Sequence, residues 1–202
     1  TYPTEWLLKV IRFLFYPDMT KANDSPNNHH TCIHLVRHGE TEENLAKILQ
    51  GHMPGTLTAK GISQAQTLRS IIDINSFDVI ISSDLKRVTD TVSIYLNGRK
   101  KAWETTPLLR EIDWASMTGM KIADVDFKQL ATDIETKEML YKRAEIALKY
   151  ILEKYHGKAL LLVSHGLFLR SLIAQITNVP IDQLHTIRKM GNCEVRTFTI
   201  NQ

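Results

Sequence analysis

The chain contains the stretch Ile33-His34-Leu35-Val36-Arg37-His38-Gly39-Glu40-Thr41, an apolar run that ends on a histidine followed by glycine. A second run, Leu160-Leu161-Leu162-Val163-Ser164-His165-Gly166, ends in the same way. Short continuous apolar runs are typical of buried parallel strands, and open α/β sheets bind ligands beyond the carboxyl ends of their strands. The two runs therefore predict one pocket that holds both histidines and the Arg37 cation, a set of groups that suits a phosphate.

Strands and helices alternate along the rest of the chain. The apolar patterns predict further strands over 77–82 and, nearer an edge of the sheet, over 193–200. They predict helices over 41–49, 136–155 and 166–176. Two further helices are predicted, one that begins after Thr58 and has Ile62 on its apolar face, and one that has Asp84 as its N-cap and Arg87 in its first turn. This alternation predicts a mainly parallel sheet covered by helices on both faces.

The first 31 residues differ from the rest. Residues 6–16 are apolar almost all round a helical wheel, and residues 20–31 have the composition of a polar linker. We predict an apolar helix that packs on the domain or on a dimer mate, so a homodimer is one interpretation. Membrane-surface contact through residues 6–16 and a targeting remnant are less favoured alternatives. The catalytic domain is expected to span residues 32–202.

Composition narrows the class of protein. The 25 cationic and 22 anionic side chains give a formal net charge of +3 and are interleaved, which argues against a nucleic-acid partner. Cys32 and Cys193 both fall in or beside predicted strands. We interpret them as reduced thiols of a cytoplasmic protein.

Five motifs, in this order, resemble branch 1 of the histidine phosphatase superfamily, which contains phosphoglycerate mutases and small-molecule phosphatases. They are Leu35–Asn44, Leu57–Ala65, Ser82–Arg87, Leu109–Glu111 and Val163–Gly166. The resemblance covers roughly residues 32–200. It implies a three-layer α/β/α sandwich with a mainly parallel central sheet, phosphoglycerate mutase-like.

The resemblance also implies the chemistry of the pocket. His38 is the expected nucleophile, which forms a phosphohistidine and so divides hydrolysis into two easier steps. Arg37, Arg87 and His165 are expected to surround the phosphoryl group. The two guanidinium groups neutralise its oxygens, and their positive charge lowers the pKa of the nucleophilic imidazole.

Glu111 is the expected acid that protonates the departing oxygen and then activates water. Asp113 and Glu40 are the competing carboxylates. In the family a glycine usually follows four positions after this glutamate and another four positions later. Here alanine stands at the first position, Ala115, and glycine at the second, Gly119, so the departure from the family pattern bears on the geometry of this loop.

We predict that Asn44, Gln50 and Gly51 contact the substrate, a small-molecule phosphate ester. No metal or cofactor is expected, although His34 and its histidine and cysteine neighbours crowd one segment, because no second ligand cluster completes a site. The predicted function is hydrolysis of a phosphomonoester through a phosphohistidine. The alternatives are a cofactor-dependent phosphoglycerate mutase, disfavoured because only a short segment separates Gly119 from Arg143, and an inactive phosphate-binding scaffold.

Overall fold

A six-stranded sheet forms the centre of the protein. The computed structural model describes the backbone of Ile11–Arg12 and residues 30–201. The strands are β1 (Ile11–Arg12), β2 (His30–Arg37), β3 (Val79–Ser82), β4 (Ala102–Thr105), β5 (Ala159–Ser164) and β6 (Val195–Asn201), in the spatial order β1-β6-β2-β5-β3-β4. β2, β5, β3 and β4 run parallel to one another. β6 is antiparallel to β2 and to β1, so the predicted, mainly parallel sheet is confirmed.

Helices cover both faces of this sheet. They are α1 (Glu42–Leu45), α2 (Ala59–Ile71), α3 (Lys86–Leu96), α4 (Lys137–Lys154) and α5 (Gly166–Ile176), and short 3-10 turns lie at Ile74–Ser76, Pro107–Leu109, Ala115–Met117, Ile122–Asp124 and Ile181–Thr186. Successive β5 side chains alternate between the two faces. Leu160 and Leu162 pack under α4 and α5, whereas Leu161 and Val163 pack under α2 and α3. The three-layer α/β/α sandwich is confirmed.

Side-chain caps begin two of the helices, at Thr58 as predicted and also at Thr136. The Thr58 hydroxyl accepts a hydrogen bond from the Gly61 N–H and begins α2, and the Thr136 hydroxyl accepts one from the Met139 N–H and begins α4. An N-cap of this kind contributes about 1 kcal/mol to helix stability. The Thr58 cap thereby fixes where α2 begins relative to the turn that follows β2.

Three local predictions are wrong. Asp84 does not cap α3: Leu85 occupies that position, because the Asp84 carboxylate pairs with Arg110, whose Nε lies 2.7 Å from Asp84 Oδ1. Ile62 is exposed, and α2 instead buries Gly61 against the backbone of Glu40. The helix predicted over 41–49 ends at Leu45.

The two ends of the sheet also differ from expectation. Ile11–Arg12 pair with β6 as a strand, so the helix predicted over 6–16 is wrong at those two positions, and its other residues lie outside the described part. β6 begins at Val195 because Cys193 has a left-handed backbone, with φ of +54°. β4 was not predicted. Within the described residues, no helix is both long and apolar enough to cross a membrane.

Candidate active site

Two neighbouring strands deliver the two histidines to one place. β2 ends at Arg37, which pairs with Ser164 at the end of β5, and each strand is followed directly by its histidine. The His38 N–H donates to the Ser164 carbonyl at 3.0 Å. The imidazole rings of His38 and His165 lie 5.2 Å apart, centroid to centroid, and both residues are buried. The structure therefore brings together the two histidines that the sequence placed at strand ends.

The His38 imidazole is held as a neutral base. Its Nδ1 lies 2.7 Å from the Gly39 carbonyl oxygen, which can only accept, so Nδ1 carries the proton and Nε2 keeps its lone pair. Burial, then the charges of Arg87 and Arg37, hold the pKa of His38 well below its usual value. Nε2 is therefore available as a nucleophile at neutral and mildly acidic pH.

Two guanidinium groups lie beside this imidazole, that of Arg87 buried and that of Arg37 half-buried. Arg37 donates through one terminal nitrogen to the Met190 carbonyl at 3.0 Å, and Arg87 donates to the carbonyls of Gly51, at 2.9 Å, and Met53. The Nε atoms of Arg37 and Arg87 are buried and have no partner. Burial lowers the pKa of Arg87 to about 10, which leaves it charged at neutral pH. Backbone carbonyls thus fix both cations and leave donors free for an anion.

His165 completes the group of donors. Its Nε2 lies 2.8 Å from the Ser83 hydroxyl, and its Nδ1 is buried without a partner. Burial and the Arg87 charge hold the pKa of His165 well below its usual value. His165 is therefore neutral and has one nitrogen directed to Ser83 and one free to meet a ligand.

The Glu111 carboxyl group lies at the amino end of α5. Its Oε2 accepts the Leu167 N–H at 3.1 Å and its Oε1 accepts the Phe168 N–H at 3.0 Å. A Cβ at Gly166 would lie 3.4 Å from Arg37 Nε and 3.8 Å from Glu111 Oε2. Glu111 therefore borders the same space as the Arg37 guanidinium group, where an acid acting on a bound phosphate ester is needed.

The rival carboxylates are engaged elsewhere. Asp113 has a 44% exposed side chain and faces His52 Nδ1 at 3.5 Å. Glu40 accepts hydrogen bonds from the Thr58 hydroxyl at 3.1 Å and from Lys60 Nζ at 3.0 Å. Of the three candidates, Glu111 is the one that lies beside the arginine and histidine cluster.

Arg143 holds the Glu111 segment in place, a role that the sequence reading missed. It donates to the carbonyls of Leu108, Arg110 and Glu111 at 2.9, 2.7 and 3.1 Å, and it pairs with Glu135 at 2.7 Å. One signal for it was present: Arg143 falls within the buried stripe of α4, where an arginine needs partners. Arg143 is thus a positioning residue for the acid.

The predicted substrate-binding residues make different contacts in the structure. Asn44 Oδ1 accepts the Thr41 N–H at 3.2 Å and so caps α1. Gln50 is buried with Oε1 unpartnered, and a Cβ at Gly55 would lie 2.9 Å from that atom and from the Arg87 side chain. Gly51 contributes its carbonyl to Arg87, so its contact with substrate stays a prediction.

Asn192 is a further residue that the sequence did not mark. Its Nδ2 donates to the His38 carbonyl at 2.9 Å and lies 3.4 Å from Asn44 Oδ1. It lies in the turn before β6, where no spacing or periodicity distinguishes it from an ordinary polar loop residue. Asn192 links the turn after β2 to the start of β6.

The loop that departs from the family pattern carries strain. Ala115 has φ of +42° and Gly119 has φ of +90°. Both positions need the left-handed conformation that glycine adopts at low cost. Ala115 therefore adopts this backbone at an energetic cost that glycine would avoid.

The histidine-rich segment is explained by ordinary contacts. His34 Nδ1 lies 2.9 Å from the Thr197 hydroxyl, and Cys32 and Cys193 are free thiols. Among the described residues, no group of three or more histidine, cysteine, aspartate or glutamate side chains could hold a metal ion.

Comparisons with known proteins show the family of the chain. The family model described as histidine phosphatase superfamily (branch 1) matches residues 33–202. The chain is 30% identical over 173 residues to the adenosylcobalamin/alpha-ribazole phosphatase of Escherichia coli, across 79% of this chain and 85% of that protein. It is 31% identical over 177 residues to a Proteus mirabilis protein named "Probable phosphoglycerate mutase GpmB", across 81% and 82%.

A solved structure shares the fold. The alpha-ribazole phosphatase from Shigella flexneri superposes with a TM-score of 0.75 at 26% identity, over 85% of this chain and 94% of that chain. The similarity therefore extends over almost the whole of the described domain.

Proposed function

Since the chain belongs to branch 1 of the histidine phosphatase superfamily, we propose that it hydrolyses a small phosphate monoester through a phosphohistidine formed on His38. One observation carries the residue assignment. Three buried nitrogens, Arg37 Nε, Arg87 Nε and His165 Nδ1, have no hydrogen-bond partner and belong to groups that act electrostatically on His38. Buried polar atoms are nearly always paired, so these three mark a place for an anion with several acceptor oxygens.

The first step transfers the phosphoryl group to the protein. His38 Nε2 attacks phosphorus in line while the bond from phosphorus to the ester oxygen breaks, and Glu111 gives its proton to that oxygen. The two arginines and His165 stabilise the charge on the three phosphoryl oxygens, the part of such reactions in which positioning and electrostatics dominate. The products are the free alcohol and phosphorylated His38.

The second step restores the enzyme. Glu111, now a carboxylate, takes a proton from water as the water oxygen attacks phosphorus and the bond from phosphorus to Nε2 breaks. Inorganic phosphate leaves, His38 is neutral again, and Glu111 is protonated for the next ester. The chain's own residues and one water molecule supply every proton and charge in these two steps.

The arginine pair is the proposed source of the positive charge that other phosphatases take from metal ions. Activity should therefore survive dialysis against a chelator. Complete loss of activity that magnesium or zinc restores would contradict this mechanism.

The identity of the leaving group is determined by testing a panel of phosphate esters. The relatives named above point first to alpha-ribazole phosphate as a test substrate, with sugar phosphates, phosphoserine and phosphoglycerates beside it.

The experiment measures inorganic phosphate released from this panel by the wild-type protein and by His38→Ala. We expect wild-type turnover and a variant with less than a tenth of that rate. His185→Ala, which changes an exposed histidine in a 3-10 turn, is the matched control. Isomerisation of 3-phosphoglycerate without net phosphate release would instead support a mutase, and binding of phosphate without turnover would support a scaffold.

We further propose that the expected division at residue 31 is better placed before His30, because β2 begins at His30 and Thr31 is fully buried. We propose that Ile11–Arg12 associate with the sheet of this domain rather than with a membrane, which the antiparallel pairing of β1 with β6 supports. The free thiols of Cys32 and Cys193 support a reducing cytoplasm as the setting.

A further inference from the structure

Ser83 is buried beside the site and has no part in the two chemical steps. It follows β3 directly and is 0% exposed, as is His165. Its hydroxyl oxygen accepts the Leu85 N–H at 3.3 Å and lies 2.8 Å from His165 Nε2. This hydroxyl group is the hydrogen-bond partner of the His165 ring on the side away from the unpartnered Nδ1.

The two neutral forms of His165 differ in which ring nitrogen carries the proton, and the hydrogen bonds of Ser83 distinguish them. If Nε2 carried the proton, the Ser83 oxygen would receive two hydrogen bonds while its own hydrogen had no acceptor among the described residues, and a lone pair on Nδ1 would face the anion. If Nδ1 carries the proton, the Ser83 hydroxyl donates to Nε2 and accepts from Leu85, and Nδ1–H is left to donate to a phosphoryl oxygen. The second form leaves only Nδ1–H without a partner, and a bound anion satisfies that group too, whereas the first form leaves both the Ser83 hydrogen and Nδ1 unsatisfied. An unsatisfied buried group costs roughly 1–3 kcal/mol.

We propose that Ser83 is a positioning residue that fixes His165 as the Nδ1–H tautomer, so that the single N–H of this neutral ring meets the phosphoryl group. The low pKa of His165, caused by burial and by Arg87, agrees with a ring that has only one proton to place. The hydrogen bond made by one ring nitrogen of a histidine commonly sets which nitrogen carries the proton, and the Ser83 hydroxyl group makes that bond here. The proposal rests on the proposed function only for the identity of the ligand that Nδ1–H meets.

The test reads the tautomer directly. Protein labelled with ¹⁵N-histidine gives a two-bond ¹H–¹⁵N correlation pattern that distinguishes Nδ1–H from Nε2–H, and His165→Ala identifies the signals. We expect His165 to be Nδ1–H in the wild-type protein without ligand and with inorganic phosphate. A wild-type His165 in the Nε2–H form overturns the proposal, whether or not any Ser83 variant folds.

Ser83→Ala then tests the cause, with Ser82→Ala as the matched control. Ser82, the last residue of β3, is equally buried, but its hydroxyl donates to the Ser83 carbonyl and accepts from the Trp103 indole. Ser83→Ala should shift His165 towards Nε2–H and lower kcat roughly 10- to 100-fold, less than the loss of a whole oxyanion donor. Ser82→Ala should keep the Nδ1–H tautomer.

Two outcomes contradict the assignment of cause. Retention of Nδ1–H in Ser83→Ala would show that another group sets the tautomer, and a change of tautomer with unchanged kcat would show that the tautomer does not matter for catalysis. Failure of the proposed function is distinguishable, because the spectra do not depend on turnover. A phosphoryl group found on a residue other than His38 would refute the function and leave the tautomer assignment standing.

Discussion

Replacing Gly61 by alanine should weaken both the fold and the reaction, because α2 touches the turn after His38 backbone to backbone. A Cβ at Gly61 would lie 2.0 Å from the Glu40 carbonyl oxygen, and a Cβ at Gly39 would lie 2.6 Å from the Gly61 carbonyl oxygen. The two glycines therefore allow a contact that no other residue type permits. The perturbation is a single methyl group placed between two backbone segments.

The size of the effect follows from these distances. Favourable contact needs about 3.5 Å, so α2 or the turn must move by roughly 1.5 Å. Overpacking of this kind costs about 3 kcal/mol where backbone has to shift, which lowers the Tm of a domain of this size by roughly 6–12 °C. The Gly39 carbonyl also accepts the His38 Nδ1–H at 2.7 Å, so the imidazole moves with it. A displacement of about 1 Å at a reacting group can cost roughly 100-fold in rate.

The assay combines thermal unfolding with kcat/KM for an aryl phosphate. Ser63→Ala, at an exposed position of the same helix, is the control and should match the wild-type protein in both measurements. A Gly61→Ala protein that melts within about 2 °C of wild type and keeps more than half of its activity would refute the reasoning. It would show that α2 can slide without disturbing the nucleophile.

Three further predictions concern the acid, the strained loop and pH. Glu111→Gln should slow esters with poor alkoxide leaving groups far more than aryl esters with acidic phenols, which depart without a proton, and equal losses in kcat/KM would assign Glu111 to binding alone. Ala115→Gly should raise the free energy of unfolding by about 1 kcal/mol, because an L-residue pays roughly 1–2 kcal/mol for a left-handed backbone, and a lower urea midpoint would contradict this. His38 and His165 have a lower pKa in the folded protein than in the unfolded chain. The stability that their neutral forms contribute is therefore present above about pH 6.5 and is lost as the pH falls below it. The loss is about 1.4 kcal/mol per pH unit for each group that protonates on unfolding. Urea titrations of His38→Ala between pH 6.5 and 5 should therefore show a shallower decline than wild type, and parallel declines would refute the linkage.

The sequence was sufficient wherever one strong local pattern decided the structure. The apolar runs before His38 and His165 are short and stand in a strand–helix alternation, which favours buried strands, and parallel strands necessarily end at the same edge of a sheet. The capping residue Thr58 was predicted correctly because a side-chain cap acts within one helical turn. These local rules placed most of the candidate site.

Features that depend on a distant partner were not predictable in this way. Aspartate commonly caps helices, but the Asp84 carboxylate pairs instead with Arg110, far along the chain. β4 has little apolar character, and it forms because β3 offers its edge and because Tyr150 and Tyr155 donate to Glu104. Such tertiary contacts override local preference.

The pairing of β1 with β6 has the same explanation. Residues 6–16 have the pattern of an apolar helix, yet Ile11 lies opposite Ile200 on an antiparallel edge. Strand or helix cannot be decided for a short apolar run by periodicity alone, and the free edge of β6 decides it here.

The most direct test of the central claim is to locate the phosphoryl group on the protein during turnover. The reaction with an aryl phosphate is quenched in alkali, which preserves phosphohistidine, and the digested protein is analysed by mass spectrometry. We predict one phosphoryl group on the peptide that contains His38, attached at Nε2 because Nδ1 is bound to the Gly39 carbonyl. Turnover that proceeds with the phosphoryl group on any other residue, or with His38 unmodified under conditions that trap the intermediate, would contradict the proposed mechanism.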